Sequence, residues 1–180
     1  MARRLVVGIG NPDRGDDAVG RLVARLLRPR VPADVHVAGL DGEATALLAA
    51  LQSAPSVWLI DAARSGGPPG TIRRIDCSHA DLALPSGAVS SHGFGVVEAI
   101  ALARALGVLP RRCIVYAIEL ADTTVGATVS PDVMHAIDEV AARILSELAC
   151  HCEERSDESI SNQFARINRA ETALSLRSSQ

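Results

Sequence analysis

The chain has 180 residues, of which 48% are hydrophobic and 2% aromatic, and its formal net charge is −3. This length indicates one domain with a core of Val, Leu, Ile and Ala, and the lack of a basic block or of aromatics to stack on bases argues against nucleic-acid binding. No apolar run is long enough to cross a membrane or to form the core of a signal peptide, so we expect a cytoplasmic protein that does not act at a membrane.

The first predicted element is a strand–turn–helix unit. An apolar strand over residues 5–10 is followed by a tight turn that Gly8 and Gly10 allow, and then by apolar residues at helical spacing: Val19, Leu22, Val23, Leu26 and Leu27. The unit is similar to a dinucleotide-binding fingerprint, but its third glycine position holds Asp13. Asp16 and Asp17 stand where a pyrophosphate would meet the helix, and their carboxylates suit a cation instead. The alternative is that Asp16 caps the helix and Asp17 favours its first turn.

Strands and helices alternate along the rest of the chain. Strands are predicted over residues 35–40, 56–60 and 112–118, and helices over residues 43–53, 93–106 and 131–148. Residues 71–76 alternate as an edge strand does, residues 65–70 form a loop, and residues 77–91 are mostly irregular. This order predicts an α/β fold with three α/β/α layers and a mostly parallel sheet of about five strands, whose edge strand is a candidate for antiparallel pairing.

Composition changes near residue 150. Residues 1–149 are predicted to form a single α/β domain, and residues 150–180 a polar tail that is disordered or partly helical, because the tail has few large apolar residues to bury. We expect the tail to be dispensable. The four cysteines fit a reducing compartment better than a disulfide scaffold. A monomer is the default expectation.

Candidate functional residues fall at the carboxyl ends of the predicted strands, where open parallel sheets bind ligands. Asp17 follows the first strand, Asp61 ends the third, and His92 precedes a helix. Asp41 and Glu119 also follow strands. Two carboxylates and one imidazole would suit Zn, Ni, Fe or Mn, and spacing alone does not choose among them. Each residue also has a structural interpretation as a turn or capping residue.

Four segments in order resemble the hydrogenase maturation endopeptidases. They are Gly8-Ile9-Gly10-Asn11 with Asp16-Asp17-Ala18-Val19-Gly20; Val57-Trp58-Leu59-Ile60-Asp61-Ala62 with Pro69-Gly70-Thr71; Ser91-His92-Gly93-Phe94-Gly95; and Val115 through Glu119 to Gly126-Ala127-Thr128-Val129-Ser130-Pro131. The resemblance covers about residues 4–148. It places the three metal-binding positions of the family, which also carry catalysis, on Asp17, Asp61 and His92.

The resemblance implies an endopeptidase whose partner is the large-subunit precursor of a nickel–iron hydrogenase. Such an enzyme removes the C-terminal extension of the precursor after nickel insertion, and the two carboxylates and the histidine sense nickel that the substrate supplies. The metal or a nearby carboxylate acting as base would help a water attack. Two alternatives stay open: a metal-dependent hydrolase of the same fold that acts on another precursor, and a non-catalytic metal-sensing or binding module.

Overall fold

The computed structural model describes residues 4–79, 89–90 and 95–150. By their internal contacts the residues divide into two units, Met1–Ile144 and Leu145–Gln180, and the sheet belongs to the first. Of the predicted polar tail, residues 151–180 lie outside the described residues. None of the helices described is both long enough and apolar enough to cross a membrane.

One sheet organises the first unit. Its strands are β1 (Arg4–Ile9), β2 (Val35–Leu40), β3 (Ser56–Arg64), β4 (Ile72–Asp76), β5 (Val89–Ser90) and β6 (Arg112–Glu119). They lie in the order β2-β1-β3-β6-β4, and the short β5 pairs with β3. The pairs β1–β2, β1–β3 and β3–β6 are parallel, whereas β4 runs antiparallel to β6 at the edge. The predicted mostly parallel sheet with an antiparallel edge strand is confirmed.

Helices cover both faces of this sheet. They are α1 (Val19–Leu27), α2 (Ala44–Ser53), α3 (Val96–Ala105) and a helix over residues 131–150, which we call α4. Leu5, Val7 and Ile9 of β1 share a buried cluster with Leu47 of α2 and Ile100 of α3. Successive side chains of a strand point to opposite faces, so Gly8 faces the other side, where α1 packs. Met134 of α4 borders a groove with α1, which completes the predicted three layers.

Backbones of β1 and α1 touch directly. A Cβ on Gly8 would lie 2.0 Å from the carbonyl oxygen of Gly20, and a Cβ on Gly20 would lie 2.3 Å from the carbonyl oxygen of Ile60. No side chain fits at either position. The two glycines therefore set how closely the start of α1 approaches the centre of the sheet.

The strand β3 is longer than predicted. Its pairing with β1 is recorded from Arg4↔Ser56 to Gly8↔Ile60, whereas its pairing with β6 continues to Ala63↔Glu119. Asp61 therefore lies within the strand rather than at its end, because β6 still supports it where β1 is ending. The chain leaves β1 toward β2 on one side while β3 lies on the other, so the crevice between β1 and β3 is the point where a doubly wound sheet binds ligands.

Candidate active site

Two of the predicted site residues lie at this crevice. Asp61 is on β3, paired with Ala117 of β6, and is 4% exposed. Asp17 is on a 3₁₀ turn (Gly15–Ala18) that leads into α1, and is 2% exposed. Residues of this turn have Cα atoms within 8 Å of Cα atoms of β3. Both residues therefore lie at one edge of the sheet, Asp61 on β3 and Asp17 on the turn beside it.

The backbone around Gly10 fixes Asp17. The N–H of Asn11 donates to Oδ2 of Asp17 at 3.0 Å. A Cβ on Gly10 would lie 1.8 Å from the carbonyl oxygen of Asp17, and Gly10 has a φ of +135°, so both space and conformation require glycine there. The predicted tight turn thus presses directly against the residue predicted to carry the function.

The position of His92 lies outside the described residues. Its predicted role in the site stays a prediction. The described chain nearest to it in sequence is β5, whose Ser90 pairs with Ala63 of β3, two residues beyond Asp61.

Asp16 has a different role from the one predicted. Its side chain does not cap a helix. It is fully buried and accepts four hydrogen bonds from residues distant in sequence: from the N–H groups of Ala121 (2.8 Å), Asp122 (2.9 Å) and Ser130 (2.7 Å), and from Oγ of Ser130 (2.9 Å). Burial alone would raise the pKa of Asp16, but these donors outweigh it and the pKa is lowered. Asp16 therefore anchors the segment over residues 121–130, which we call the anchored loop.

Glu119 anchors a second loop at the same edge. Its Oε1 accepts from the N–H groups of Ser65 (2.7 Å), Gly66 (2.8 Å) and Gly67 (3.2 Å), and its Oε2 accepts from Oγ of Ser65 (2.6 Å). Burial would raise the pKa of this carboxyl, but the hydrogen bonds lower it. No local sequence signal distinguishes Asp16 and Glu119 from the site residues, because their donors lie more than 50 positions away.

The remaining candidates are separate from the crevice. Asp41 accepts a hydrogen bond from the N–H of Glu43 at 3.3 Å, which is the turn role predicted for it. Three histidines, His36 on β2, His79 after β4 and His135 on α4, are exposed. Cys77 and Cys113 are buried, whereas Cys150 is exposed.

The groups described at the crevice that could bind a metal ion are carboxylates. Asp17 and Asp61 could bind a divalent cation, because carboxylates are common ligands of such ions. Within residues 4–79 and 95–150, no group of three or more His, Cys, Asp or Glu is arranged to hold a metal ion. The two described carboxylates are thus the residues that the structure offers toward a cation at this edge.

Comparison with known proteins places this chain in a family. The family model for the HycI hydrogenase maturation protease matches residues 21–147, more than half of the chain. The chain therefore belongs to the hydrogenase maturation protease family, as its sequence motifs predicted. The matched range contains Asp61 and His92 and begins after Asp17.

Individual relatives agree with this assignment. The hydrogenase expression/formation protein HupD of Thiocapsa roseopersicina is 28% identical over 164 residues, which cover 87% of this chain and 73% of HupD. The HycI [NiFe] hydrogenase maturation protease of Thermococcus kodakarensis aligns with a TM-score of 0.62 and 26% identity, over 82% of this chain and 93% of that one. The hydrogenase maturating endopeptidase HybD from E. coli aligns with a TM-score of 0.65 over 82% and 92% of the two chains, and its 22% identity supports the fold alone.

Proposed function

We propose that this hydrogenase maturation protease removes the C-terminal extension of a nickel–iron hydrogenase large-subunit precursor after nickel insertion, and that Asp17, Asp61 and His92 recognise the nickel of the substrate. The observation that carries the proposal is the pair of buried carboxylates at the β1–β3 crevice. Family membership supplies the reaction class. The position of β5 supports the histidine, since β5 pairs with β3 beside Asp61 and ends two residues before His92 in the chain.

Burial suits these carboxylates to a cationic substrate group. A carboxylate at 2% or 4% exposure has lost most of its water, so a positive charge brought to it is favoured more strongly than at the surface. Asp17 already has one oxygen engaged by the N–H of Asn11, which fixes the orientation of its carboxyl group. In this proposal the two carboxylates bind and orient the nickel-bearing end of the precursor, and nickel itself belongs to the substrate.

The chemistry at the peptide bond requires a water and a group to accept its proton. A carboxylate is suited to that role as a general base. Asp17 and Asp61 are the candidates, because both lie at the crevice. Binding the precursor beside these groups would bring the scissile bond and the base together.

The direct test mixes the purified protein with nickel-loaded and nickel-free precursor and follows C-terminal shortening by intact mass spectrometry. We expect shortening of the nickel-loaded precursor alone. Equal cutting of both forms would refute nickel recognition. No cutting of either form would refute the assignment of the substrate.

Three variants test the residues. Asp17→Asn, Asp61→Asn and His92→Ala are each expected to lower the rate of cutting by about 100-fold or more, as loss of a group that acts at the reacting atoms does. The matched control is Asp13→Asn, because Asp13 is an exposed carboxylate on the loop before the same turn. Near-wild-type cutting by a site variant would remove that residue from the site, and a loss as large in the control would show that the turn is generally sensitive.

A further inference from the structure

A groove runs along the outer side of α1. Its volume is about 640 Å³, and it is bordered by α1, by the anchored loop at residues 127–129 and by Met134 of α4. Its apolar part includes Leu22 and Val129, which are half-buried, and Met134, which is 49% exposed. The groove is therefore an open, partly apolar surface of the folded protein, separate from the crevice that holds Asp61.

The charge of this groove is opposite to that of the whole chain. The chain has a net charge of −3, yet the described residues that line the groove include Arg21, Arg25 and Arg28 and no acidic residue. Arg25 and Arg28 are exposed, and Arg21 lies half-buried over Gly39. Among the described residues none of the three arginines forms an ion pair, although Arg28 donates a long hydrogen bond (3.4 Å) to the carbonyl of Val37. Their charges are available to a partner.

The groove borders the turn that carries Asp17. Gly15 and Ala18 line it, and both belong to the 3₁₀ turn that carries the buried Asp17. The anchored loop that forms its other side is held by Asp16 of the same turn. A protein segment lying in the groove would thus be only one turn of backbone away from the carboxylates.

We propose that this groove docks an acidic, partly apolar segment of the precursor protein, outside the C-terminal extension that is removed. This inference rests on the proposed function for the identity of the partner. Arginine side chains pair with carboxylates in bidentate geometry, and the apolar border fits a segment that also carries apolar side chains. Arg21 and Arg28 are seven residues apart, about 10 Å along the helix. The segment therefore carries carboxylates at a similar separation on one face, such as i and i+7 on a helix.

The test compares two double charge reversals. The groove variant is Arg25→Glu/Arg28→Glu, and the control is Arg111→Glu/Arg143→Glu, which makes the same change in net charge at exposed arginines outside the groove. Circular dichroism and thermal unfolding establish that both fold. For each protein we would measure the Kd for the nickel-loaded precursor by titration calorimetry, and KM and kcat for its shortening.

The groove variant is expected to raise both Kd and KM about tenfold with kcat unchanged, because attraction at two positions becomes repulsion. The difference in Kd and KM between the groove variant and the wild type should shrink at about 1 M salt, where the Debye length is about 3 Å. Unchanged Kd and KM, or an equal rise in the control, would overturn the proposal. If the wild type bound heparin, a polyanion, as tightly as it binds the precursor, the proposal that the groove docks a protein segment would be overturned. If the wild type binds the precursor but never shortens it, the proposed function fails, and the Kd values still decide the docking site.

Discussion

Removing the Asp16 carboxylate should weaken the attachment of the anchored loop to the 3₁₀ turn that precedes α1. Four hydrogen bonds from Ala121, Asp122 and Ser130 converge on this one buried side chain. In Asp16→Ala all four donors lose their charged acceptor, and a hydrogen bond to a charged group contributes about 1.5–3 kcal/mol. The sum is an upper bound, because Ala121 and Asp122 are exposed and their N–H groups can bind water instead. We expect a loss of about 4 kcal/mol in the free energy of unfolding.

Asp16→Asn removes the negative charge of the side chain but keeps its size, so it tests the contribution of the charge to stability. An amide oxygen in the place of Oδ2 would keep three of the four donors, but the amide NH₂ would then face the N–H of Ser130, and two donors would meet. The expected loss is about 2 kcal/mol.

Urea unfolding followed by circular dichroism measures both variants, with Asp13→Ala as the exposed control. The pKa of Asp16 is lowered in the folded protein, so its stabilisation is present above the pKa of an unfolded aspartate, about 3.9, and is lost as the pH falls through the lower folded value. The gap between wild type and Asp16→Asn should therefore narrow at acidic pH. If Asp16→Ala were no less stable than Asp13→Ala, the anchoring role would be refuted.

Three further outcomes are expected. Glu119→Gln should lower the free energy of unfolding by only about 1 kcal/mol, because the amide oxygen can keep the three N–H donors and Oγ of Ser65 can accept instead of donate. Urea titrations at several pH values should show that acid destabilises this variant less than wild type, since Gln does not titrate. The same pH dependence in both proteins would contradict this. Gly8→Ala should destabilise by about 3 kcal/mol through overpacking against α1, whereas Gly67→Ala, whose added Cβ meets nothing closer than 3.7 Å, should be near neutral in the same measurement; equal effects would contradict the close approach. Burial raises the pKa of Cys77 to about 11 and that of Cys113 to about 12, so native protein at pH 7.5 should not be alkylated by iodoacetamide at these thiols in peptide mapping, and rapid labelling would show that they open to solvent.

The order of helices and strands could be predicted from the sequence because each element is indicated by the local spacing of its apolar residues. The apolar run that became β1 and the spacing of Val19 and Val23 in α1 identify their elements without any knowledge of neighbours. The bounds of β2 were predicted to the residue. The predicted end of β3 was three to four residues too early, because the last part of this strand is stabilised by β6, which lies about 50 positions further along the chain.

The candidate site could be predicted from the sequence only in part. Asp17 and Asp61 were predicted as site residues because strand ends and helix starts meet at one edge of a parallel sheet, and their role stays a prediction. For Asp16, the neighbour of Asp17, the sequence offered a helix cap as the structural interpretation, since nothing near it in sequence shows that its donors come from residues 121–130. Adjacent aspartates on one turn project in different directions, and only the tertiary structure separates a loop anchor from a candidate ligand.

The contacts of Gly8, Gly10 and Gly20 make the position of Asp17 independent of how the core is filled. At all three positions the nearest neighbour of an added Cβ is a main-chain oxygen. Exchanges among Val, Leu and Ile in the interior can therefore drift through evolution or design while the carboxylate stays where it is. We therefore expect substitutions that stabilise the core to leave the position of the Asp17 carboxylate unchanged.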